Sequence, residues 1–137
     1  MKLALSLYFL ILLISSTSIA EESVFITCKC KNFYWQDNQE LKGTSCDDWA
    51  KEDFTMNYEI SFNKNGKSGL VGVGKSIYFF KGNANTNIIK AKQLPADQSS
   101  NNELLIDRNN ATLLWTMTSD TSNFILNQSC IKTEKLF

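Results

Sequence analysis

The sequence predicts an all-β domain, a small up-and-down antiparallel barrel or half-barrel of seven to eight strands with one short helix; a β-sandwich is the alternative. Three observations carry this. A ten-residue stretch, "FTMNYEISFN", alternates apolar and polar residues without a break, the pattern of a strand with one face on a core and one in water. Further short apolar runs follow at regular spacing, separated by turn residues. Four cysteines are placed so that bridges could tie the first strand to the last.

The elements follow in order. Residues 1–20, "MKLALSLYFLILLISSTSIA", have a cation at Lys2, an apolar run and small residues at the end, the three parts of a secretory signal peptide. Cleavage after Ala20 is expected to leave residues 21–137 as one domain, 117 residues long, enough for a real core. The apolar run is shorter than the ~20 residues that span a bilayer. No membrane insertion is expected after cleavage, and the destination is secreted or periplasmic.

"SVFITCKCKNFYW" reads as the first strand. "SCDDWAKE" reads as a helix of about two turns, with Ser45 three residues before Asp48 in a capping pattern and acids in the first turn, where the dipole favours them. The alternating strand carries Phe54, Met56, Tyr58, Ile60 and Phe62 on one face. An Asn65-Gly66 step then signals a hairpin, and its partner "LVGVG" is expected to continue after a bend into "SIYFF", with Gly72 and Gly74 marking a bulge or sharp curvature. "TNIIKAKQL" is the next strand, ended by Pro95 and a polar loop "PADQSSNN". "ELLID" and "ATLLWTMT" form a hairpin about Arg108, Asn109 and Asn110, with Leu113, Trp115 and Met117 on one face. "NFILNQSCIK" closes the series with Phe124, Leu126 and Cys130 sharing a face. A meander of such strands buries its apolar face by closing on itself or folding over.

In an exported chain of this size four cysteines read as two disulfides. Cys28 and Cys30 are an i, i+2 pair, so in a strand their Cα atoms lie ~6.6 Å apart and their side chains run parallel, near the limit of disulfide reach. Each therefore reaches elsewhere, and Cys28–Cys130 with Cys30–Cys46 is preferred over the crossed pairing because Cys46 follows closely. The sharper alternative, a Cys-Lys-Cys thiolate site for Cu(I) or redox work flanked by Lys29 and Lys31, has physical content because neighbouring cations lower thiol pKa values. Two further cysteines in an oxidising compartment weigh against it.

Charge and composition exclude several functions. Lys and Arg number 14 against 14 Asp and Glu, which offers no footprint for nucleic acid. Histidine is absent, and with it go the commonest general base and zinc ligand. Asp47, Asp48, Glu52 and Asp53 cluster beside Trp49, but without calcium-loop spacing and with Lys51 among them they read as a solvated helix face. Asp107-Arg108 reads as a turn with an exposed cation. Gly72-Val73-Gly74-Lys75 lacks the spacing of a phosphate loop, and no Gly-x-Ser-x-Gly elbow is present. No catalytic residue, metal ligand or cofactor is expected.

In its last 35 residues, "ELLIDRNNATLLW…CIKTEKLF", the chain resembles small exported bacterial β proteins of unknown function that end in a strand, an Ile-Asp-Arg turn, a second strand and a final Cys. Leu105, Ile106, Asp107, Arg108, Leu113 and Cys130 carry the likeness. It implies a curved antiparallel meander and transfers no catalytic or binding residues.

The high aromatic content suggests a function beyond scaffolding. If inward rings leave room, a lipocalin-like barrel binds a small apolar or amphipathic molecule, with Phe54, Met56, Tyr58, Ile60, Phe62 and Trp115 as the candidate pocket. If the rings interdigitate, the interior is a packed core. The alternative function is a non-enzymatic protein–protein module meeting an envelope or secreted partner.

Overall fold

The computed structural model describes residues 22–63, 68–81, 87–94 and 99–133; the signal-peptide segment, the Asn65-Gly66 step and Pro95 lie outside them. The described chain forms nine strands and one helix: β1 (Glu22–Asp37), β2 (Glu40–Gly43), α1 (Cys46–Trp49), β3 (Thr55–Phe62), β4 (Ser68–Val73), β5 (Ser76–Lys81), β6 (Ile88–Leu94), β7 (Ser100–Asp107), β8 (Thr112–Ser119) and β9 (Ser122–Thr133). All pairings are antiparallel. The sheet runs β1-β3-β4-β5-β6-β7-β8-β9 and returns to β1, a closed eight-stranded barrel with β2 outside it. Closure removes the sheet edges and rules out the sandwich.

The seam is β1 with β9, twelve facing pairs from Phe25–Thr133 to Asp37–Ser122. β1 can serve two neighbours because it is 16 residues long and its pairing with β9 slips between Cys30 and Asn32. Its first half pairs β3 on the other side, and its second half pairs β2. The slip is a β-bulge, which bends a strand and increases its twist. Cys28 and Cys130 face each other across the seam and are bonded. Cys30 bonds Cys46 and draws α1 onto β1. This is the preferred pairing of the two that geometry left open, and no free cysteine remains.

Several elements differ from expectation for local reasons. Gly74 takes φ 55° in a two-residue reversal that pairs Val73 with Ser76, so "LVGVG" and "SIYFF" are two strands of a tight hairpin rather than one bent strand. β2 was not anticipated: Asn38 and Gln39 both take positive φ, 48° and 65°, the requirement of a primed hairpin turn, but without the glycine that normally announces it. β7 starts at Ser100, inside the segment expected as loop. The helix is one turn. Asp48 accounts for its start, its carboxylate accepting from the Thr44 and Ser45 amides and from the Ser45 hydroxyl at 2.9, 3.0 and 3.0 Å; these hydrogen bonds hold its pKa below the ordinary carboxylate value.

The barrel interior is filled through its middle. Tyr58, Tyr78, Leu104, Leu113, Leu126 and Gln128 are fully buried, and small residues stand beside large ones, Val71 opposite Tyr78 and Ala91 opposite Phe80, as a tapering barrel demands. Gly69 is part of the same fit. It lies between Phe62 and Phe80 in the ladder, whose rings meet edge to face at 5.6 Å, and a Cβ there would collide with the Ser61 carbonyl and sit 2.6 Å from the Phe80 ring.

Candidate functional site

Polar side chains cross the packed middle. Gln128 donates from Nε2 to the Tyr58 hydroxyl at 2.7 Å, and Tyr58 donates on to Met56 Sδ at 3.5 Å. Beside them Asn102 Oδ1 accepts from the Trp115 indole at 2.6 Å and the Tyr78 hydroxyl at 3.1 Å, while its amide donates to Gln93 at 2.7 Å. Among the described residues no buried side-chain nitrogen or oxygen lacks a partner, which is what allows such a belt to be buried. Burial pushes the Tyr58 phenol up to about 12 against the opposing Gln128 hydrogen bond, and burial raises Tyr78 as well. The belt separates two recesses, one at each end.

The first recess is a cavity of about 310 Å³. Its walls are Val24 and Ile26 of β1, Ile60 and Phe62 of β3, Ile89 of β6 and Ile106 of β7, with Cys130 of the seam disulfide beneath. Strand alternation aims these side chains inward from four strands. The mouth is polar: Asp107 at the end of β7, Arg108 in the turn, Thr112 at the start of β8, and Lys132 near the end of β9. The turn is rigid because Asp107 accepts from the Asn109 and Asn110 amides at 3.0 and 3.1 Å and from the Asn110 side chain at 2.8 Å. Those bonds hold the Asp107 pKa low. Arg108 lies over the Phe62 ring, 5.7 Å from its centroid, within cation–π range.

The second recess, at the end closed by α1, is an aromatic cleft of about 390 Å³ lined by Phe33, Trp35, Asp48, Trp49, Trp115, Met117 and Phe124. Its rings largely pack on one another: Trp49 meets Phe33, Trp115 and Phe124 at 5.7, 5.7 and 5.3 Å.

The six residues expected to form one pocket are spread along the barrel. Ile60 and Phe62 wall the cavity. Tyr58 belongs to the belt, and Met56 packs against the clusters on both sides of it. Trp115 lines the aromatic cleft. Phe54 precedes β3, half-exposed and edge-on to Trp49 at 6.4 Å. The reason is geometric: alternate residues of one strand run along the barrel, whereas a cavity at one end is built from one or two residues of each strand around it. Arg108 and Lys132 were not expected in the site. The Lys132 signal was its register, two residues past Cys130 on the inward face.

Two of the acidic residues around α1 have local partners. Asp48 caps the helix and Asp53 lies 3.8 Å from Lys29. Among the described residues no group of three or more metal-ligating side chains converges.

No protein-family model, curated protein or solved structure matches this chain. The barrel and its two disulfides, which fit an extracellular or periplasmic setting, are therefore the whole basis for a functional reading.

Proposed function

We propose that this is an exported, non-enzymatic binding protein that holds a small apolar or amphipathic molecule in the cavity at the Arg108 end, in the manner of a lipocalin-like barrel. The observation that carries the reading is a cavity of about 310 Å³ with six apolar walls and a polar mouth, at the lower end of the ~300–1,000 Å³ range of ligand pockets. The packed belt below limits the ligand to this end. Titration with N-phenylnaphthylamine, a neutral apolar fluorophore, tests it: saturable enhancement is expected, weakened at least tenfold in Val24→Phe, whose added ring occupies the cavity. A protein that leaves the probe's emission unchanged would sink the proposal.

A second reading, contact with an envelope protein, is favoured by the outer face. Leu70 is paired with Phe79, and Ile77 with Leu94, and all four are exposed, from 39% to 47%. Such contiguous apolar surface marks interaction sites. Cross-linking in envelope extract should yield a partner that Phe79→Lys releases; an identical cross-linking pattern for the two proteins would count against it.

A further inference from the structure

We infer that the occupant of the cavity is a single-chain amphiphile with an anionic head, and that Arg108 and Lys132 hold that head; this rests on the cavity reading above. Its walls bear no polar side chain that could meet the buried part of a ligand, so that part is hydrocarbon. Recognition is left to the mouth.

The mouth residues carry two cations and one acid. Asp107 is committed to its own turn, where three of its roughly four acceptor positions are taken by Asn109 and Asn110, so the two cations are the better partners for a ligand head. Lys132 stands directly opposite the wall residue Ile26, so it projects from the inward face of β9, where a closed core would carry an apolar side chain. Its long stem lets the ammonium reach the rim while the methylenes follow the wall. Arg108 is set over Phe62, itself a wall residue, so a single contact joins the cation to the hydrocarbon site. A guanidinium pairs a carboxylate with two parallel hydrogen bonds and an ammonium adds a point charge. Arg108 and Lys132 are exposed at this mouth, so their attraction for an anionic head is open to screening by salt. Thr112 adds a hydroxyl beside them. A cavity of about 310 Å³ suits one medium-length hydrocarbon chain.

The test is isothermal titration of delipidated protein with dodecanoate, dodecanol and dodecyltrimethylammonium, equal in tail and different in head. Dodecanoate is expected to bind at least tenfold tighter than dodecanol, with the cation weakest, and the preference should fall as salt is raised. In Arg108→Gln/Lys132→Gln the carboxylate-to-alcohol ratio should collapse to within about twofold, and Lys132→Gln alone should lower it in part; thermal unfolding confirms that each variant is folded. If dodecanol binds wild-type protein as tightly as dodecanoate, the head-group inference is overturned and the cavity reading stands. If none of the three binds, both fall. A ratio unchanged in the folded double variant overturns the assignment to these two residues.

Discussion

Tyr58 and Gln128 show at the residue scale how a buried polar pair shapes the interior. Gln128 is the one buried polar residue among the described residues, only 1% exposed, and its amide reaches the Tyr58 hydroxyl. An unpartnered group there would cost about 1–3 kcal/mol, so the two residues are mutually required. The linkage to pH has a definite sign. Folded Tyr58 keeps its proton to about pH 12, whereas an unfolded tyrosine loses it near 10. The stability tied to that proton is complete below pH 10 and is lost as pH rises toward 12, up to about 2–3 kcal/mol. Tyr78 adds in the same direction. Tyr58→Phe is expected to be less stable at neutral pH by about 1–2 kcal/mol, from the orphaned Gln128, yet to lose less on alkalinisation. Urea unfolding at neutral pH and at intervals above pH 10 measures both; equal alkaline slopes in the two proteins would contradict the buried-phenol account.

Among the elements, the short piece from β2 through α1 depends most on tertiary ties. β2 has four residues and α1 one turn, far below the length at which a helix holds itself together. It is held by the Cys30–Cys46 bond, by the Asp48 cap, and by a close approach at Gly43, where a Cβ would lie 2.8 Å from Asp48 and 2.9 Å from Phe33. Trp49 then completes the aromatic cluster. Closing a loop of 16 residues stabilises by about 3 kcal/mol in the loop-entropy account. Cys30→Ser/Cys46→Ser is expected to lose about that much and to shift tryptophan emission to the red as Trp49 leaves its ring neighbours, while the cavity at the other end still binds its probe. Loss of probe binding together with the emission shift would mean that the two ends are not independent.

For the whole molecule, the β1–β9 seam decides everything else, since the barrel exists only when the first and last strands meet. The Cys28–Cys130 bond spans 102 residues along the chain and sits within the seam, under the cavity. Its removal in Cys28→Ala/Cys130→Ala is expected to cost about 4–5 kcal/mol and to weaken ligand binding, because Cys130 lines the cavity. Denaturant unfolding and the probe titration report the two effects. Unchanged stability would show that backbone pairing alone keeps the barrel shut.

Much of this was legible in the chain. Phe54 through Phe62 alternate so strictly that only a strand fits, and Cys28 and Cys30 are too parallel to bond each other, so two bridges to distant cysteines followed from spacing and strand geometry. The turn at Asn38 and Gln39 was not legible, because positive φ there comes from the pairing it serves rather than from a glycine. Nor was the start of β7, whose polar residues are held in a strand by their neighbour in the sheet.

What the sequence determined by itself is therefore the all-β class, the faces of most strands and the cysteine framework, since these depend on local periodicity and reach. Where the barrel is full and where it is empty was decided only by tertiary structure. Tyr58 and Ile60 are two residues apart on one face of one strand, yet one is locked into a polar belt and the other walls a cavity. That difference comes from Gln128 and Lys132 of β9, which closure brings round, and from Ile26 of the neighbouring β1 and Ile106 of β7.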